Sequence, residues 1–286
     1  MRRAADNIFA SDLTRRTTPI PASPRISREV ADAYQAVAGD PRYGHFVNIP
    51  DRIIRCLNYF GIPGDREPIR TCLHSYYLFI GVVDNAIDNG ELTSGKHVLD
   101  HLASRTPPAG EPESTVVLVT EVLKYQIPEH CRTFFWDKLQ ALYQQVLNER
   151  AVTTIDTYID CRITVGSLTA ELSYLLIRPH LDAESEVLCG LMKQVGAVGC
   201  LVDSLIDLKS DYGLGLLAFT PTPARYVKLM SRTIRLGLRI TLTHPLLSLL
   251  FLQAIFDNVR DRLRNQGCVD GRALVSNEKD QAASVA

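Results

Sequence analysis

The sequence predicts an all-α protein, and three observations carry that expectation. Apolar residues recur at three- and four-residue spacings from about residue 27 to residue 266. Alternating β-branched runs are scarce, and no Asn-Gly or Asp-Gly pair joins two such runs as a hairpin would. Gly- and Pro-rich breakers separate the periodic segments. With 46% apolar and 22% charged residues, the 286-residue chain easily supplies a core for one large helical domain or two smaller ones.

Residues 1–25 are polar and Pro-containing ("TTPIPASPR") and read as a flexible N-terminal arm. Helices follow at 27–38, 45–60 and 66–89, the last two parted by "GIPGD" (61–65). "NGELTSG" (89–95) ends the third and caps a helix at 93–104. The loop "RTPPAGEPES" (105–114) leads to helices at 114–125, 128–150 and 153–177. After the turn "RPHLD" (178–182) come 183–210, then "TPTP" (220–223), then 222–242 and 246–266. Residues 267–286 read as a frayed tail, and 26–266 as a single helical domain without internal repeats. Long helices with short connections imply a compact bundle, with any site built from side chains on facing helices.

The net charge of −1 argues against a nucleic-acid binder that works by bulk electrostatics. Seven cysteines, an odd number without a CxxC pair, suit buried free thiols in a reducing cytoplasm. The N-terminus lacks the apolar core of a secretory signal. The apolar stretch "PLLSLLFLQAIF" is too short to span a bilayer, so stable membrane insertion is not expected. Weak surface association is compatible with an apolar substrate, and a homodimer is allowed.

Two acidic patterns stand out. In "VDSLIDLKSD", Asp203, Asp207 and Asp211 occur at i, i+4 and i+8 and form one helical stripe among apolar neighbours. Like charges at that spacing repel, and burying them without partners costs far more. A divalent cation removes the cost, and hard carboxylate donors suit Mg2+. In "YYLFIGVVDNAIDNG", Asp84 and Asp88 repeat the i, i+4 spacing near the end of a very apolar helix. A single such pair is usually a solvated helix face. Two acidic helices facing one cavity would form a multi-metal site completed by a diphosphate.

The segment 153–177 places Arg162 mid-helix, with Gly166 one turn on. A mid-helix Gly costs about 1 kcal/mol against Ala, so it needs a reason. A local break there would let backbone approach a ligand, and the Arg162 fork could grip diphosphate oxygens. The plain alternative is a helix crossing at Gly166 and a surface Arg162 paired to Asp160 or Asp156. Lys209, Arg225 and Tyr226 are weaker substrate-binding candidates. Arg232, Arg235 and Arg239 are equally well read as a solvated face.

Together these motifs resemble the class I isoprenoid synthases, which comprise terpene synthases, trans-prenyltransferases and the squalene/phytoene synthase group. The resemblance covers roughly residues 66–212. It implies an all-α bundle around a central apolar cavity, with three Mg2+ ions and a prenyl diphosphate substrate that ionises with loss of diphosphate. Asp84 and Asp88 match the first acidic motif, here Asp-x-x-x-Asp rather than Asp-Asp-x-x-Asp. Asp203, Asp207 and Asp211 match the metal-ligand positions of the second motif. Three aspartates there look like the squalene/phytoene group. Arg162 and Gly166 match the diphosphate-sensing Arg and effector Gly of bacterial terpene synthases. The C-terminal Arg-Tyr pair of that group is missing, since Arg225-Tyr226 lies too close to the second motif.

The residues "LFIGVV" before Asp84 hold no Arg, unlike the squalene/phytoene group, so a terpene cyclase is favoured over a head-to-head prenyltransferase. Tyr76, Tyr77, Phe79, Tyr158 and Tyr174 lie on the relevant helices and could face a carbocation. Most aromatics in such helices are simply core.

Competing readings fare less well. No Glu has a His three residues later, which removes a carboxylate di-iron bundle. His97 and His101 have i, i+4 spacing but no companion zinc ligands. Intramembrane prenyltransferases would need spanning helices. A non-catalytic binding protein on a degenerate synthase fold would leave the acids exposed.

Overall fold

The structure, a computed structural model, describes residues 26–88 and 114–245. The N-terminal arm, the helix expected at 93–104 with His97 and His101, the helix at 246–266 and the tail lie outside the described residues. Among those described, every regular element is helical and the strand content is nil. The helices are α1 (Arg28–Ala38), α2 (Gly44–Tyr59), α3 (Arg66–Asp88), α4 (Thr115–Lys124) and α5 (Arg132–Arg150). They continue with α6 (Ile155–Ile177), α7 (Glu186–Gly213) and α8 (Pro223–Thr243). Each matches a predicted helix within a few residues. Short 3-10 turns at Pro41–Tyr43, Glu129–Cys131 and Arg178–His180 tighten the connections.

The starts have local causes. Ser27, Ser114, Thr154 and Ser185 each sit at an N-cap, and each hydroxyl accepts from the backbone N–H three residues on. These bonds satisfy donors that the first turn would leave orphaned. Between α2 and α3, Gly64 takes φ +151° and forms a lone bridge with Leu181. A Cβ there would stand 2.5 Å from the His180 carbonyl oxygen, so only glycine fits.

The chain divides into two compact units, Met1–Ile240 and Thr241–Ala286, and the candidate site lies in the first. Within it α3 is the central rod, packed on α2, α4 and α6. Its run Cys72–Phe79 is buried on every side, as expected for a helix enclosed by others. Tyr76, Tyr77 and Phe79 belong to this core, with Tyr76 edge-on to Tyr77 and Phe135. Tyr174 is also in the core, and its hydroxyl accepts from the Ser185 N–H.

Helix α6 packs on α5 and α7. At the α6–α7 crossing, a Cβ on Gly166 would come within 2.3 Å of the Gly196 carbonyl oxygen. One on Gly196 would come within 2.4 Å of the Gly166 carbonyl oxygen. Glu171 on α6 ties the same helices together by pairing with Lys138 of α5 at 3.1 Å and Lys193 of α7 at 3.2 Å.

A second apolar cluster joins Tyr158 and Ile159 of α6 to Leu201 and Leu208 of α7, Phe219, and Leu229 of α8. Helix α7 is long and apolar enough, by length and composition, to cross a membrane. The glycine crossing accounts for part of its apolar character, because α7 lays that face on α6. The six cysteines among the described residues are free; Cys72 and Cys161 are buried, and Cys56, Cys131, Cys189 and Cys200 are partly exposed.

Candidate functional site

The two acidic motifs lie within electrostatic range of each other. Asp84 and Asp88 stand one turn apart at the C-terminal end of α3, while Asp203, Asp207 and Asp211 line α7. Asp84 lies near enough to Asp203 and Asp88 for their charges to raise its pKa. Asp211 is raised in the same way by Asp203 and Asp88. Arg162, from α6, sits between the motifs. Its Nε donates to Ser204 Oγ at 2.8 Å. Its other nitrogens reach Asp203 Oδ2 and Glu149 Oε1, each at 3.4 Å, and the Cys200 carbonyl at 3.5 Å. The alternative of a surface Arg162 paired to Asp160 or Asp156 is corrected. Asp156 instead pairs with Lys228 at 2.7 Å.

Two participants come from the end of α5. Glu149 is mostly buried and pairs with Arg162. Arg150 donates to Asp88 Oδ1 at 2.9 Å and to the Ile87 carbonyl at 3.0 Å, which secures the last turn of α3. Neither residue was singled out in the sequence. The available signal was an acid in the last turn of a helix, where the macrodipole disfavours negative charge. Ser204 was also missed. It is buried, accepts from Arg162 and donates to the Cys200 carbonyl at 2.9 Å.

The electrostatics are those of crowded carboxyls. Burial, then repulsion from Asp88, raises Asp84 from 3.8 to about 7, with Arg162 opposing the rise and Asp203 and Glu149 adding to it. By surface area, however, both Asp84 and Asp88 are exposed. Burial raises Asp211 to about 6 against the pull of Arg162. Burial also raises Asp88 and Glu149, opposed respectively by Arg150 and Arg162. Five carboxyls (Asp84, Asp88, Glu149, Asp203 and Asp211) thus share two guanidinium groups. Such a set of hard oxygen donors has the donor chemistry that Mg2+ takes.

As the side chains stand, no three acidic, His or Cys groups among the described residues converge on one ion position. Asp88 and Asp203 are engaged by Arg150 and Arg162 instead. Asp207 lies half-buried on the same helix, between the other two acids in sequence.

Other expectations fare differently. Helix α6 runs unbroken through Gly166, so the expected local break is corrected. The glycine is instead required by the approach of Gly196. Lys209 is exposed. Arg225 stacks over Phe219 at 5.2 Å and donates to the Thr220 carbonyl, a local contact rather than one with the acids. Tyr226 packs against the second apolar cluster. Tyr158 is buried, and burial raises its pKa, with Arg162 opposing the rise and Asp211 adding to it. A cavity lined by Lys124, Ile127, Arg132, Phe135 and Trp136 is only about 10 Å³ and involves none of the acids.

No family model, curated protein or solved structure matches the chain.

Proposed function

We propose that this protein is a Mg2+-dependent class I terpene synthase, which ionises a prenyl diphosphate to a carbocation with loss of diphosphate and forms a terpene. One observation carries the reading. Acids from α3 and α7, remote in sequence, share one electrostatic site around Arg162. A solvated helix face would keep its carboxyls apart and at ordinary pKa values. Here Asp84 is raised to about 7 and Asp211 to about 6.

Asp84 and Asp88 would hold Mg2+ from one side, and Asp203, Asp207 and Asp211 from the other, with three ions implied by the resemblance. Bound there, Mg2+ would neutralise charge developing on the departing diphosphate. Arg162 would turn its fork from Asp203 and Glu149 toward phosphate oxygens, giving a charge-assisted and bidentate grip. Ser204 and the Cys200 carbonyl hold that side chain in place until then. Arg150 would keep Asp88 and the end of α3 in register. The apolar second cluster, with Tyr158, lies beside Arg162 and would supply the dry wall that a carbocation needs.

A head-to-head prenyltransferase of the squalene/phytoene type is the second reading. Two observations favour it: the three aspartates of α7 and the unbroken α6, which lacks the local break expected at Gly166. The test is incubation of the protein and its Asp203→Ala variant with C10, C15, C20 and longer prenyl diphosphates plus Mg2+. Diphosphate release is followed and products are read by mass. Release that Asp203→Ala abolishes supports the proposal. A hydrocarbon from one substrate molecule means a terpene synthase, and a product joining two means the alternative. Unimpaired turnover in the variant, or no turnover with any substrate, overturns it. The second of those results would point to a helical binding protein.

A further inference from the structure

Helix α8 is three-sided. At about 100° per residue, Leu229, Thr233, Leu236 and Ile240 share the face laid against the protein. Lys228, Arg232, Arg235 and Arg239 share a second face, and all four are exposed. Val227, Met230, Ile234 and Leu238 share a third. They too are exposed, at 58, 47, 52 and 54%. The segment Pro223–Thr243 contains no acidic residue. Lys228 is held by Asp156. Arg232 and Arg235 make no ion pair among the described residues. Neither outer face takes part in the candidate site.

We propose that this outer surface of α8 docks the protein on an anionic lipid bilayer. An interfacial helix needs an apolar stripe to enter the headgroup boundary and a cationic flank to meet lipid phosphates. Here the two lie side by side, on a helix whose third face anchors it to the fold. Charge complementarity selects this occupant over a second copy of the chain. In an antiparallel helix pair about a two-fold axis the same flank of each helix meets its twin, so arginines would face arginines with no acid on α8 to relieve them. Nucleic acid has no counterpart for the exposed stripe of Val227, Met230 and Ile234. The inference is independent of the reaction proposed above, and its readout involves no catalysis.

The test is co-flotation of the full chain with vesicles of phosphatidylcholine, alone or mixed with phosphatidylglycerol. Binding is expected only to the anionic vesicles and should weaken as salt rises. The double variant Arg232→Glu/Arg235→Glu should lower the partition coefficient at least about 25-fold, from about fivefold per surface arginine. Ile234→Asp should also release the protein from anionic vesicles. All three side chains are exposed, and far-UV circular dichroism checks that the variants remain folded. Equal binding to both vesicle types overturns the proposal, as does unchanged binding by either variant. Absence of binding, combined with a concentration-dependent dimer that Ile234→Asp dissociates, overturns it in favour of a second copy.

Discussion

Replacing Asp84 by Asn should stabilise the protein in the absence of metal. The folded-state pKa is raised from 3.8 to about 7, first by burial and then by Asp88. A carboxyl raised in this way costs stability once it must ionise. The cost is absent below the unfolded value near 3.8, grows as pH rises and levels off above about 7. The full rise corresponds to about 4 kcal/mol. Solvent reaching the open surface of Asp84 screens much of this, which leaves about 1–2 kcal/mol.

Asn keeps the shape and removes the charge. In chelator-treated protein Asp84→Asn should therefore melt about 2–8 °C higher than wild type at pH 8, at about 2–4 °C per kcal/mol. At pH 4 the gain should be less than half as large. Thermal melts followed by circular dichroism at both pH values measure it. A variant that melts lower than wild type at pH 8, or whose gain does not depend on pH, would show that the carboxyl is not crowded and would remove the basis for the site.

Three further outcomes are expected. Mg2+ and inorganic diphosphate together should stabilise the wild type by about 2.7 kcal/mol at a hundredfold excess over Kd; calorimetry should show this effect reversed by chelator and lost in Asp211→Ala. Arg162→Ala leaves Glu149 and Asp203 without their shared cation, and should cost about 2–3 kcal/mol at pH 7, discounted from a fully buried pair. Urea denaturation should show that loss shrinking toward pH 5, where the raised Asp84 holds a proton. Gly64→Ala should cost about 2–3 kcal/mol, because φ is +151° and the His180 carbonyl oxygen stands 2.5 Å from the new Cβ; the comparison is of urea midpoints.

The helices were legible because their signals are local. Ser27, Ser114, Thr154 and Ser185 cap where the apolar periodicity begins, and proline or glycine follows where it ends. The acidic stripes were legible for a related reason, since i, i+4 spacing fixes a shared face whatever the tertiary context. Their convergence depended on packing that no spacing reveals. Glu149 escaped notice because its neighbours in "VLNER" look like an ordinary charged helix end, and its partner Arg162 lies on another helix. Gly166 had two readings that predict the same letter. Only the approach of Gly196 separated them, and it favoured packing over a break. Arg225 and Tyr226 gave a motif without its context, and both turned to local partners.

The glycine crossing sets a dimension that no ligand-facing residue controls. Arg162 lies one turn before Gly166 on its helix, and Cys200 and Asp203 follow Gly196 by about one and two turns on the other. The separation of guanidinium and carboxylate is therefore fixed by backbone resting on backbone. A single added methyl at either glycine would wedge the two rods apart and widen the gap between those charged groups without touching any of them. Size at two silent positions thus governs how firmly the site can grip.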